Sequence, residues 1–324
     1  MDAPGGDILL VSSARADRLF RPVNQWFSYG GHVSPTSERP SDGRIAVLAG
    51  RVGADEKRLF DAFDRRGVPF DHVDTRRQWF PAGRRDLPWS LALNREIGQV
   101  RAAYAARCLT AAQVDMVNST DATEVCGDKW RTTMALDAAG VPTPRTALGL
   151  TPQAALAALD SIGYPAVIKP LVGSWGRLVV QLPDRASAEG VLEYTAALPG
   201  PQSHLGYVQE LIEKPDRDIR VIVVGGQVLG AVYRTGESFR TNVALGGQTR
   251  PCEVTPDIGK LSLDAAAAVG ADIAGVDLIE DRDGRLVVLE VNHRVEFSGF
   301  QSALADQVDV ADHIVDHLLE RTQR

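Results

Sequence analysis

The chain has 324 residues, 44% of them apolar, enough for two domains or a compact three-part enzyme with a sizeable core. Its 42 acids outnumber its 35 bases, and a net charge of −7 argues against a general nucleic-acid binder. Three widely spaced cysteines, Cys108, Cys126 and Cys252, contain no CxxC and speak against a disulfide framework, and no apolar run nears the roughly 20 residues of a membrane span.

A cytoplasmic protein with no membrane partner is therefore expected. The first ten residues lack a basic region and their apolar run, Ile8-Leu9-Leu10-Val11, is short, so a signal peptide is not expected. Residues 1–43 read as an extension. They carry an aromatic cluster, Trp26, Phe27 and Tyr29, and end in loop formers from Ser34 to Gly43. A mobile or loosely docked tail is predicted there.

Ordered patterning begins at Arg44. Residues 45–49 read as a buried strand, 56–66 as a helix ended by Gly67, and 69–73 as a second strand, which predicts a parallel α/β unit. The turn after the first strand, Gly50-Arg51-Val52-Gly53, is not GxGxxG, so a dinucleotide site is poorly supported. Helices are predicted over 94–109 and 128–139, the latter closed by Gly140, and over 152–162 behind a Thr151 cap. Strands follow at 166–169, 178–182, 206–209, 219–224 and 228–233. A helix over 263–274 precedes two strands, 276–279 and 286–291, joined by the turn Asp281-Arg282-Asp283-Gly284. A last helix is predicted over 311–321. The implied divisions are 1–43, 44–123, 124–208 and 209–324.

Side chains two apart on a strand share a face, so Glu290 and Asn292 point the same way, and the hairpin can bring Asp277 beside them. Three hard oxygen donors suit Mg²⁺ next to nucleotide phosphates. Taken alone, the trio reads more readily as an ordinary solvated strand face. Lys169 ends an apolar strand, and Gly173-Ser174-Trp175-Gly176-Arg177 follows it. A tight glycine loop can aim backbone N–H groups at phosphate, with the lysine adding a point charge. Lys129 starts a helix, another place suited to an anion. Arg220 sits amid strand residues and Arg234 closes a strand. Each needs an acidic partner or a ligand.

In this order the segments resemble the ATP-grasp superfamily over residues 45–324, within it the RimK-like branch, and most closely the LysX/ArgX ligases. The residues carrying the resemblance are Cys126-Gly127-Asp128-Lys129-Trp130, Gly173 to Leu178, Asp216 to Val221, Thr241 to Gly247, and Glu290-Val291-Asn292-His293-Arg294-Val295-Glu296-Phe297. The resemblance implies an α/β (α+β) ATP-grasp fold, in which an N-terminal parallel domain, a central small domain and a C-terminal domain enclose an ATP cleft. It implies ATP and Mg²⁺ as cofactors, with two ions. Lys129 and Lys169 would contact phosphates under a lid formed by Gly173, Ser174, Trp175 and Gly176. Gln209, Glu210, Leu211 and Ile212 would hold adenine, and Glu213 or Asp218 the ribose. Arg220, Arg234 and Asn242 would hold the transferring phosphoryl group, and Asp277, Glu290 and Asn292 the metals.

The activity implied is joining a carboxylate to an amine through an acyl phosphate, on the C-terminal glutamate of a small acidic carrier, LysW. His293, Glu296, Phe297, Gly299 and Phe300 fall in the substrate segment. In the resembled family the Gly299-Phe300 pair marks the glutamate-using type, and a bulky Phe300 would shorten a pocket against 2-aminoadipate. Arg76, Arg77, Arg84 and Arg85 are candidates for meeting the acidic carrier, and a homo-oligomer is expected. The competing expectations are another RimK-like ligase adding glutamate to a protein, peptide or cofactor, and a nucleotide-binding module or kinase without ligation.

Overall fold

The structure is a computed structural model that describes residues 44–83, 86–173, 176–236, 248–305 and 307–323. The extension 1–43 and the predicted site residues Ser174, Trp175 and Asn242, with Arg84 and Arg85, lie outside the described residues.

The first sheet is parallel. Strand β1 (Ile45–Leu48) lies between β2 (Phe70–Val73) and β3 (Leu91–Asn94), and β4 (Asp115–Val117) flanks β3. Buried on both faces, β1 is a continuous apolar run, as parallel strands are. Helix α1 (Ala54–Arg65) returns the chain from β1 to β2 and buries Leu59, Phe60, Ala62 and Phe63. Its first turn is fixed by the Gly53 N–H, which donates to the Glu56 carboxylate at 2.9 Å. Gly67 takes the left-handed φ of +63° just beyond its end. Helix α2 (Gln99–Ala111) joins β3 to β4. Residues 94–109 are therefore not one helix: Leu91–Asn94 is strand, and the helix begins only at Gln99.

Two short helices, α3 (Thr120–Cys126) and α4 (Lys129–Ala138), lead to the second sheet. The Asp128 carboxylate caps α4 by accepting from the Trp130 and Arg131 N–H groups at 2.9 and 3.1 Å. That sheet is antiparallel. It is made of β5 (Thr146–Gly149), β6 (Ala166–Lys169), β7 (Val180–Leu182) and β8 (Gly206–Glu210), in the order β5-β8-β6-β7. Helices α5 (Pro152–Ile162) and α6 (Arg185–Ala196) cover it. Helix α5 lies so close that a Cβ at Gly206 would stand 2.3 Å from the Ala155 Cβ, so glycine sets this packing distance. Strand β8 runs to Glu210, so the predicted divide at 208–209 falls inside a strand and the connecting segment begins at Leu211.

The third sheet comprises β9 (Arg217–Val224), β10 (Gln227–Thr235), β11 (Gln248–Cys252), β12 (Ile273–Glu280) and β13 (Leu286–Asn292), ordered β11-β10-β9-β12-β13 and antiparallel throughout. Alternation along β9 serves two cores. Ile219, Val221 and Val223 pack towards helix α7 (Pro256–Ala268), while Ile222 and Val224 join Ile45 and Leu93 of the first sheet and Leu59 of α1. Helices α8 (Ser298–Ala303) and α9 (Val310–Thr322) complete that shared core through Phe300, Ile314 and Leu318. Helix α7 departs from the predicted 263–274. It starts at Pro256 behind a Thr255 cap and ends before Gly270, after which β12 opens at Ile273.

Candidate active site

A cleft of about 380 Å³ lies between the second and third sheets. From the second sheet side come Lys129, Lys169, Gly173, Gly176 and Gln209. The connecting segment adds Glu210, Leu211, Ile212 and Glu213, and the third sheet adds Asp218, Arg234, Asp277 and Glu290.

The lysines converge although they start 40 residues apart. Lys129 opens α4, where its N–H donates to the Leu171 carbonyl at 3.0 Å. Its Nζ donates to the Gly173 carbonyl at 2.8 Å and lies 3.3 Å from Glu290 Oε1. Lys169 ends β6 and donates to Gln209 Oε1 at 2.6 Å. The Gln209 amide is oriented by donating to Thr146 Oγ1 and Tyr207 Oη, at 2.9 and 3.2 Å. Burial pushes the Lys169 ammonium down to about 8; nearby Lys129 acts in the same sense, while Glu290 and Asp277 oppose it.

Across the cleft, Asp277 on β12 stands opposite Glu290 on β13. A bulge at Leu289 makes this pairing, since Leu278 already faces Val288. Asn292 Nδ2 lies 3.5 Å from Asp277 Oδ2. Asp277 is buried between two guanidiniums. Arg220 binds both of its oxygens, one at 2.9 Å, and Arg234 Nη2 lies 3.1 Å away. These arginines hold the Asp277 carboxyl below its usual range despite the burial that opposes ionisation. Gly275 leaves room for Arg220, because a Cβ there would lie 3.1 Å from its Nη1. Arg234 also donates to Asp218 Oδ1 at 2.7 Å.

Two carboxylates and an amide fit a hard divalent cation that keeps positions open for nucleotide phosphates. Among the described residues no group of three His, Cys, Asp or Glu side chains is gathered as for a metal ion. Glu290, 29% exposed, is the more open donor; Asp277, 5% exposed, shares its oxygens with the arginines. Two further acids of the cleft are tied as well. Glu210 pairs with Arg145 at 2.7 Å, and Glu213 with Arg282 at 2.9 Å.

A second cavity, about 370 Å³, lies where the first and third sheets meet. Arg220 and Arg234 line it, with Glu296, Gly299 and Phe300. The Gly299 carbonyl accepts from Thr249 Oγ1 at 3.0 Å, which ties α8 to β11. Phe300 is seated against Gly230, where a Cβ would come within 3.2 Å of its Cζ. His293 and Phe297 line neither cavity. Both are buried, and burial, with Arg294 and Arg95 nearby, pushes the His293 ring down to about 4. The Phe297 N–H donates to Asp55 Oδ2 at 2.9 Å beneath Arg95.

Sequence reasoning does not find four basic residues that line these cavities: Lys214 and Arg282 in the first, Arg51 and Arg294 in the second. Arg294 carries a usable signal, since it lies inside the string that bears the resemblance. Arg51 has a weaker one, the Gly50-to-Gly53 turn after the first strand.

Two antiparallel sheets gripping a cleft, with paired lysines on one wall and facing carboxylates of a terminal hairpin on the other, define an ATP-grasp enzyme. Residues 126–318 match the RimK-like ATP-grasp domain, and residues 45–125 match the LysX preATP-grasp domain. The chain is 31% identical to "Glutamate--LysW ligase ArgX" of Sulfolobus acidocaldarius over 85% of this chain and 98% of that protein. It is 29% identical to "Alpha-aminoadipate--LysW ligase LysX" of the same organism, over 72% and 85%. A solved RimK domain ATP-grasp protein from Sphaerobacter thermophilus superposes with a TM-score of 0.72 at 26% identity, covering 85% of this chain and 99% of that one. The chain belongs to the RimK-like ATP-grasp family and is an enzyme of the ligase class, using ATP and magnesium as that fold does in general. No helix among the described residues is long and apolar enough to cross a membrane.

Proposed function

We propose that this ligase activates the C-terminal glutamate of a small acidic LysW-like carrier protein and joins it to the α-amino group of glutamate, with 2-aminoadipate as the competing substrate. The carboxylate attacks the γ-phosphorus of ATP, giving an acyl phosphate and ADP. The amine, having lost a proton, attacks the acyl carbon, and phosphate leaves with the bonding pair. A free carboxylate has no comparable leaving group, so catalysis is chiefly positioning and charge stabilisation.

In this reading Lys129 and Lys169 hold the phosphates, and the segment from Gln209 to Ile212 cradles adenine. Asp277, Glu290 and Asn292 hold one or two magnesium ions, which offset phosphate charge when bound. Arg220 and Arg234 steady the phosphoryl group in transfer and the acyl oxygen. Asp218 acts by fixing Arg234, since its carboxylate is committed there. Glu213, 60% exposed at the cleft edge, is assigned to the ribose, which it reaches by giving up its exposed ion pair with Arg282. His293 and Phe297 support the substrate segment from the core.

The observation that carries the reading is that Arg234 lines both cavities, so the end of a nucleotide cleft meets an arginine-lined pocket at one guanidinium. Glutamate as the amino acid is supported by Phe300 in that pocket and by the ArgX-named relative. For the acidic carrier, Arg77 is the candidate: its side chain is 83% exposed, and its ion pair with Asp74 is long, at 3.8 Å. The enzyme acts in the cytoplasm as a homo-oligomer. The test is mass spectrometry of a LysW-like carrier after incubation with the enzyme, Mg²⁺, ATP and each amino acid. A gain of one glutamyl residue is expected. A carrier that gains nothing, while ATP is still consumed with another acceptor, would overturn it.

A further inference from the structure

The second cavity is lined by four arginines, and three are already committed. Arg220 is held by Asp277, Arg234 by Asp218 and Asp277, and Arg294 by Glu56 and Glu296, each at 3.0 Å. Arg51 has no hydrogen bond or ion pair to any described residue. The acids of this wall cannot serve it. Asp55 accepts from the Phe297 N–H and the Ser298 hydroxyl, Glu56 is bound by Arg95 and Arg294, and Glu296 by Arg294.

The position of Arg51 in the fold adds a second reason. The sheet order β2-β1-β3-β4 makes the chain leave β1 towards β2 on one side and leave β3 towards β4 on the other. The crevice at the carboxyl ends of β1 and β3 is therefore a topological switch point, where open α/β sheets take ligands. Arg51, Gly53 and Ala54 from beyond β1, and Ile97 from beyond β3, line the cavity there. A guanidinium presents a fork of donors matched to a carboxylate, and it stays charged at any working pH.

We propose that Arg51 is a specificity-determining residue that binds the side-chain carboxylate of the amino-acid substrate, so that the site takes dicarboxylic amino acids and refuses neutral ones of the same size. This rests on the ligase reading above and adds to it. Phe300 limits the length of the side chain, and Arg51 reads the charge at its end.

The test is calorimetric titration of the full chain, loaded with Mg²⁺ and a non-hydrolysable ATP analogue, with L-glutamate, 2-aminoadipate and L-glutamine. The wild type is expected to bind a dicarboxylic amino acid at least about 10-fold more tightly than glutamine, the scale of one charged hydrogen-bonded contact. Arg51→Gln should erase that preference and Arg51→Lys should retain part of it, while all three proteins bind the nucleotide alike. An Arg51→Gln protein that keeps the preference, or a wild type that binds glutamine as tightly, overturns the proposal. If the preference behaves as expected yet no carrier gains mass, the ligation reading fails and the assignment of Arg51 stands.

Discussion

Asp277 and Glu290 face each other across β12 and β13, brought into line by a single extra residue, Leu289. The bulge places one acid in the grip of Arg220 and Arg234 and leaves the other beside Lys129. The two carboxylates thus do different work from one hairpin.

Replacing Asp277 by Asn removes the negative charge that two buried arginines share. Breaking a buried ion pair from one side typically costs about 3–5 kcal/mol, and urea unfolding should show a loss of that order. Glu290→Gln should cost little stability, because Glu290 is partly exposed. Both variants should lose ligation, and a Mg²⁺ titration of the remaining activity should shift to higher concentration for Glu290→Gln.

If Lys169 holds nucleotide phosphate as proposed, it gives that site a pH dependence whose sign follows from its depressed titration. Its ammonium titrates near 8 in the free enzyme, below an ordinary lysine. As pH rises through 8 the positive charge is lost, so the KM for ATP should climb between pH 7.5 and 9.5. Bound phosphates favour the charged form, which moves the midpoint upward in the complex. Stability runs the other way. The unfolded lysine keeps its proton to about 10.4, so the folded state gains stability as pH rises from about 8 towards that value. Lys169→Arg should flatten both trends; a KM profile unchanged by this substitution would remove Lys169 from phosphate binding.

Phe300 closes the pocket on the α8 side. Phe300→Leu should make room for one more methylene, and one methylene is worth about 1–3 kcal/mol of discrimination. The ratio of kcat/KM for 2-aminoadipate over glutamate should therefore rise by about 5- to 150-fold. No change in that ratio would mean that Phe300 only fills the core beside Gly230.

Arg95 is buried, with its guanidinium on Glu56 at 3.0 Å and on the Val295 carbonyl at 2.7 Å. Arg95→Ala leaves Glu56 with Arg294 and the Gly53 N–H. A loss of about 3–5 kcal/mol is expected, together with a raised KM for the amino acid and an unchanged nucleotide affinity. Equal losses in both affinities would point to general unfolding of the site.

The gathering of Lys129, Lys169, Asp277 and Glu290 around one cleft, the proposed nucleotide half of the site, is legible in the sequence because these residues advertise local chemistry. Lys129 follows a helix cap, Lys169 ends an apolar strand, and Glu290 and Asn292 share a strand face. The second cavity is far less legible. Arg294 meets Glu56 across 238 positions, and no local pattern announces such a contact. His293 and Phe297 look like site residues because they share a string with Asn292, yet the chain turns them into the core. The strand Leu91–Asn94 is equally hard to read, since four residues rich in helix formers show no decisive period. The placement of α7 depends on the Thr255-Pro256 start signal outweighing an alanine-rich run further on.

Arg95 also decides which parts of the enzyme can part company. Prising β3 away from the segment after β13 would take from the buried Arg95 guanidinium its bond to the Val295 carbonyl, so the preATP-grasp and C-terminal walls of the second cavity should travel together. The small sheet bearing Lys169 joins the third sheet through the short span 211–216 and is the cheaper piece to swing. Nucleotide should therefore be admitted and released by a rocking of that flap, with the amino-acid pocket keeping its shape throughout the cycle.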